Sequence, residues 1–141
     1  MPIDDRNRIA ELEERLALAG AVGTARGGPE AAIAELELLA DLYMQADSYL
    51  PALETIQRLL ALPAARTLSP DRRVALESRA VGCRLAQGDS LGALAHCREL
   101  LAAEDGIASA ALRSRIHMQC AEALFRLGRL EDARGEADAA L

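Results

Sequence analysis

The sequence contains no lysine and no tryptophan, and its aromatic residues are one phenylalanine and two tyrosines. Without lysine, Schiff-base chemistry and the lysine-bearing phosphate loop are excluded. Three aromatics are too few for a base-stacking platform. All 16 basic residues are arginine, set against 22 acidic residues for a formal charge of −6. The arginine clusters, Arg72-Arg73 and Arg113 with Arg115, are short and interleaved with acids, so a polyanion is repelled overall. No apolar run approaches the roughly 18 residues that a bilayer span requires. Cysteine is scarce too: Cys83, Cys97 and Cys120 are an odd, widely spaced set without a secretory leader pattern, which predicts free thiols and a reducing, cytoplasmic setting. Neither a nucleic acid nor a membrane is expected as a partner.

What the chain has in quantity is alanine, 30 residues, and leucine, 24, out of 141. Residues of high strand propensity are few and scattered, so an all-α fold is expected. Leucine supplies the burial, about 1.5 to 3 kcal/mol for each enclosed side chain. Alanine lets helices approach closely. The small residues also recur at fixed intervals: Ala40, Val81 and Ala121 mark one place, Ala52, Ala93 and Ala133 another, and Asp47, Gly88 and Gly128 lie between, with steps of 41 and 40 residues. Such self-similarity is the mark of stacked helical hairpins, each leaving an apolar face for its neighbour to cover.

The segment from about residue 5 to 19 places Ile9, Leu12 and Leu16 on one stripe among acids and arginines, which predicts an amphipathic helix that docks on the first repeat or on a second copy. Gly20, Gly23, Gly27 and Gly28, closed by Pro29, then read as a linker. A phosphate cradle would need a preceding strand and a Lys-Ser or Lys-Thr pair, and both are missing. Residues 1–28 are therefore an N-terminal helix and linker, and 29–141 hold three hairpins at about 29–63, 70–104 and 107–141. Ser69-Pro70-Asp71 is a helix start, with Ser as N-cap, Pro in the first turn and Asp at the positive end of the dipole. Gly88-Asp89 and Gly128 close the first helices of the second and third hairpins. The chain ends at Leu141 with neither a glycine cap nor a polar outer face, which suggests a longer parent or an end docked on another chain.

The run Ala121-Glu122-Ala123-Leu124-Phe125-Arg126-Leu127-Gly128-Arg129-Leu130-Glu131-Asp132-Ala133 resembles a tetratricopeptide repeat, with a small residue at the helix crossing, Gly at the turn and Ala early in the second helix. Leu39-Ala40-Asp41-Leu42-Tyr43 followed by Ala52, and Gly88-Asp89 followed by Ala93, fit the same frame. Departures are Val81 and Arg84 in the middle unit, Asp47 at the first turn, and a period longer than the usual 34 residues. The resemblance implies a right-handed superhelical stack of about three hairpins, of the long-period kind found in bacterial regulatory and adaptor proteins. It also implies a concave groove lined by the first helix of each unit: Glu37, Asp41 and Met44, then Ser78, Arg79, Gly82 and Leu85, then Arg115, Met118, Glu122 and Phe125. Core packing is the competing reading for Met44, Leu85 and Phe125, and it is preferred for Leu85.

Chemistry has little to draw on. His117 and Cys120 share a helix face, but two ligands fall short of the three or four of a zinc site. Cys83 and Cys97 fall at apolar positions, where cysteine is a small buried hydrophobe. Glu13-Glu14, Glu131-Asp132 and Glu136 with Asp138 lie on polar helix faces. No nucleophile-elbow, zinc-protease or nucleotide motif occurs, and no cofactor is expected. The expectation is a noncatalytic protein-interaction module, part of a larger protein, that presents its groove to a peptide or protein segment. The alternative is a regulatory sensor whose groove takes a small effector or peptide and controls an attached output domain, such as that of a transcription regulator. Self-association through the N-terminal helix or the last helix is a third expectation.

Overall fold

The computed structural model describes residues 3–22 and 28–141, and among them every regular element is helical. Seven α-helices follow in order: α1 (Ile3–Val22), α2 (Gly28–Gln45), α3 (Tyr49–Ala61), α4 (Pro70–Ala86), α5 (Ser90–Ala102), α6 (Ala110–Arg126) and α7 (Leu130–Ala139). Short 3-10 turns, Pro63–Thr67 and Glu104–Gly106, connect α3 to α4 and α5 to α6. The all-α expectation holds. α1 runs through Gly20 to Val22, later than the glycine cluster suggests, because one glycine inside a helix costs only about 1 kcal/mol. The remainder of the expected linker, residues 23–27, lies outside the described residues.

The 40-to-41-residue spacing is visible in backbone geometry. Each tight turn between paired helices uses one residue of positive φ: Asp47 at 56°, Gly88 at 82° and Gly128 at 79°. Each closes with the same long backbone hydrogen bond: Ser48 N–H donates to the Tyr43 carbonyl (2.8 Å), Asp89 to Arg84 (2.9 Å) and Arg129 to Leu124 (2.9 Å). This is a Schellman closure, which satisfies carbonyls that the helix end would otherwise orphan. Asp47 adopts a conformation that glycine takes without strain, and its carboxylate accepts from the Tyr49 hydroxyl at 2.9 Å. Side-chain caps begin α4, α5 and α6, but α3 and α7 start without one. Ser69, Asp89 and Ser109 accept through their side chains from the backbone N–H of Arg72, Gly92 and Leu112.

The chain divides into two compact units, Met1–Thr67 and Leu68–Leu141. In the first, α2 and α3 form a hairpin and α1 packs on α2. The stripe Ile9, Leu12 and Leu16 is buried there. Arg15 pairs with Glu35 at 3.2 Å, and the Tyr43 hydroxyl donates to Glu13. The apolar face of α1 is thus occupied within its own chain.

In the second unit the hairpins α4–α5 and α6–α7 follow one another, and α6 packs against both α4 and α5. One apolar cluster joins them, including Val81, Leu85, Cys97, Ile116, Cys120 and Leu124. Polar ties fix the register. The Asp71 carboxylate accepts from the N–H groups of Ala108 (2.9 Å) and Ser109 (2.8 Å), so the start of α4 holds the entry to α6. Gln119 donates through Nε2 to the Ser78 carbonyl (2.9 Å) and accepts from the Ser78 hydroxyl (2.8 Å). Arg126 donates to the Leu85 carbonyl.

Candidate protein-docking face

The Gly128 turn brings α7 back along α6, and the face the two helices share differs sharply from its counterpart one repeat earlier. Helix periodicity puts Arg115, Met118, Glu122 and Phe125 on a single stripe of α6. Leu130, Ala133, Arg134 and Ala137 face them from α7, and together they line an open cleft of about 680 Å³. Its floor is made of small side chains, Ala121 and Ala133, which keep the helices close and leave room above. Its walls are apolar and unshielded: Met118 is 50% exposed, Phe125 66% and Leu130 59%. Arg115, Glu122 and Arg134 form the rim, with Glu122 paired to Arg126 at 2.6 Å.

Of the positions 40 residues earlier, Ala75, Arg79, Gly82 and Ser90 are half-buried, whereas Ser78, Val81, Leu85, Ala93, Leu94 and Cys97 are buried. The buried ones are covered because α6 lies on them. Met118 and Phe125, the equivalents of Ser78 and Leu85, have no such cover among the described residues.

Of the expected groove residues, the structure gathers Arg115, Met118, Glu122 and Phe125 around one cleft. Ser78 is a correction: it is 1% exposed and both its polar groups bond Gln119, so it ties one hairpin to the next and meets no ligand. Gly82 is half-buried, and a Cβ there would lie 3.7 Å from the Gln119 amide nitrogen, an ordinary van der Waals contact. Leu85 is 4% exposed and belongs to the core, as preferred. Arg79 is half-buried on α4. In the first unit Glu37, Asp41 and Met44 are half-buried on α2. They do not line the cleft of about 260 Å³ there, which is walled by residues such as Glu13, Tyr43, Glu54 and Arg58. Burial, the Glu13 hydrogen bond and the charges of Glu13 and Glu54 all push the Tyr43 hydroxyl upward.

The three thiols of the second unit lie in its apolar interior. Cys83, Cys97 and Cys120 are free and fully buried. Burial is the main force raising all three thiols, Cys97 to about 12 and Cys120 to about 11, with the Glu136 charge adding to both of these. Groups so strongly protonated at neutral pH are poor nucleophiles and poor metal ligands. Among the described residues no cluster of three or more His, Cys, Asp or Glu side chains is placed to hold a metal ion, and no helix is long and apolar enough to cross a membrane.

His117 shares a neighbour with Cys120, the Glu136 carboxylate, which helps raise the pKa of both. Its Nδ1 lies 2.7 Å from Glu136 Oε2 and its Nε2 2.8 Å from Glu104 Oε2. Burial lowers its pKa, but the two hydrogen bonds and two negative charges outweigh this and raise it above the usual imidazole value. Through these two contacts His117 clamps α7 and the α5–α6 connection onto α6. Nearby, the Ser114 hydroxyl donates to the Ala140 carbonyl at 2.6 Å. Sequence reasoning missed this clamp, because Glu104 and Glu136 are 13 and 19 residues from His117 and no short motif links them. The Gln119–Ser78 tie did leave a trace: a polar side chain in mid-helix one repeat beyond another.

Comparison with models of protein families, with curated proteins and with solved structures finds no match to this chain.

Proposed function

We propose that this protein is a noncatalytic protein-interaction module, a right-handed stack of tetratricopeptide-like hairpins that docks a helix or extended segment of a protein partner on its α6–α7 face. The observation that carries this reading is the inversion between equivalent positions, Leu85 enclosed and Phe125 exposed. A face that the repeat pattern builds for covering has its large apolar side chains in water. Soluble surfaces rarely gather such residues without a partner. The two helices hold the cleft open, so little ordering free energy is lost on binding. Flexible Met118 beside rigid Phe125 suits a few apolar anchors, and Arg115, Glu122 and Arg134 around them suit a polar rim.

The cleft opens to solvent and its polar groups stand at the edge. This favours a segment of protein over a small effector, which would sit among convergent polar groups in an enclosed pocket. The sensor reading is accordingly second. The buried, neutral thiols support a reducing, cytoplasmic setting and a structural use of cysteine. The test is photocrosslinking from position 125, with position 91 as control, since Leu91 is 70% exposed on α5 and outside the cleft. A protein segment captured in several-fold excess from position 125, and lost in a Met118→Asp background, is the expected result. Equal capture from both positions refutes the assignment of the face.

A further inference from the structure

The geometry points to a second copy of this chain as an occupant of the α6–α7 face, paired through α6 about a two-fold axis. This rests on the same face being a docking surface, and it goes further by naming what covers it.

The charges on the stripe are arranged as their own complement in reverse. Arg115 and Glu122 are seven residues apart, two turns and about 10.5 Å along the helix at 1.5 Å per residue. When two such helices cross antiparallel, with the axis passing between Met118 and Gln119, Arg115 of each copy stands opposite Glu122 of the other. Both ion pairs form at once, because an isologous contact repeats every pairing twice. The parallel arrangement would set like charges side by side. The carboxylate of Glu122 has room for this, since it is 48% exposed and, among the described residues, its ion pair is with Arg126, at 2.6 Å.

The apolar groups agree with this crossing. Met118 lies at the centre, where it meets Met118 of the second copy. Phe125 and Leu130 lie toward the Gly128 end of the cleft and reach over the first turns of the opposing α6, where Ala111 is exposed and small. Two-fold closure uses the face completely and leaves nothing for a third copy, so the product is a dimer and not a filament. Helix α6 has 17 residues and α7 has 10. Helices of this length span roughly 15 to 25 Å, so the contact falls at the lower end of specific interfaces, near 1,000 Å² in all. A contact of this size predicts a reversible, concentration-dependent dimer. Such a dimer hides the cleft from an outside partner, so self-association and partner docking compete.

Sedimentation velocity and light scattering on the full chain, from about 1 to 500 μM, test this directly. The expected mass rises from 15.0 kDa toward about twice that value with concentration. Phe125→Asp is expected to keep the chain monomeric throughout. Arg115→Glu or Glu122→Arg alone is expected to weaken association about tenfold, whereas the double reversal restores it, because the pairs re-form with their signs exchanged. All these side chains are exposed, so helicity and melting of each variant serve as the folding control. A chain that stays monomeric at every concentration overturns the inference and leaves the photocrosslinking test of an outside partner untouched. Association that survives Phe125→Asp places the contact elsewhere and overturns it as well. Single reversals without effect, or a double reversal that fails to restore association, refute the two-fold crossing.

Discussion

Leu85 and Phe125 occupy equivalent places in successive hairpins, yet one is 4% exposed and the other 66%. Truncating each to alanine therefore separates a docking face from a packed core without knowledge of any partner. Leu85→Ala removes three carbons from the apolar cluster shared by α4, α5 and α6. At about 0.8 kcal/mol per buried methylene the transfer loss is about 2.4 kcal/mol, and incomplete collapse of the cavity brings the cost to about 3 kcal/mol or somewhat more. In Phe125 about a third of the side chain is covered, which scales the 1.5 to 3 kcal/mol of full burial to about 0.5 to 1 kcal/mol. Alanine's better helix propensity returns a few tenths. Urea unfolding followed by helical circular dichroism, at a few micromolar to keep the chain dilute, is expected to show Leu85→Ala costing at least three times as much as Phe125→Ala. The corresponding shift in Tm for Leu85→Ala is on the order of 10 °C. Equal costs would mean that Phe125 is packed, and the docking reading of α6–α7 would fail with it.

His117 should make stability pH-dependent. Its folded pKa is raised, so its clamp contributes fully below the ordinary imidazole value near 6.5 and is lost as the pH climbs through the raised value. The Tm deficit of His117→Gln is expected to be largest near pH 6 and to shrink by pH 9, and a deficit that stays flat or grows with pH contradicts the clamp. Gln119→Ala leaves the 1%-exposed Ser78 hydroxyl and carbonyl without their partner, at a cost of about 1 to 3 kcal/mol. Ser78→Ala combined with Gln119→Ala should cost less than the sum of the two single changes, and strict additivity in this double-mutant cycle would deny the tie. Asp47→Gly relieves positive φ, worth about 1 kcal/mol, and gives up the exposed Tyr49 contact, so Tm should hold or rise by a few degrees. A fall of several degrees would show that Asp47 holds the turn through its side chain.

The elements were legible in the sequence, and so were their joints. Ser69-Pro70-Asp71 caps α4, Gly88 and Gly128 turn α4 into α5 and α6 into α7, and Asp47 stands at the first turn where glycine would be usual. These follow from backbone sterics and local hydrogen bonding, which a few neighbouring residues settle between them. The last stripe, Arg115, Met118, Glu122 and Phe125, was also legible as one face, because spacing on a helix fixes what shares a side.

Burial and pairing were decided only in three dimensions. Ser78 and Met118 hold the same place in the repeat, yet α6 covers the first, and in this structure the second stands half exposed. His117 is held by carboxylates that no local pattern joins to it, and Asp71 serves the start of α6 as well as its own helix. A sequence period dictates which residues face one way along a helix. What lies opposite that face depends on contacts between residues far apart in the chain, and these formed only when one hairpin came to rest on the next.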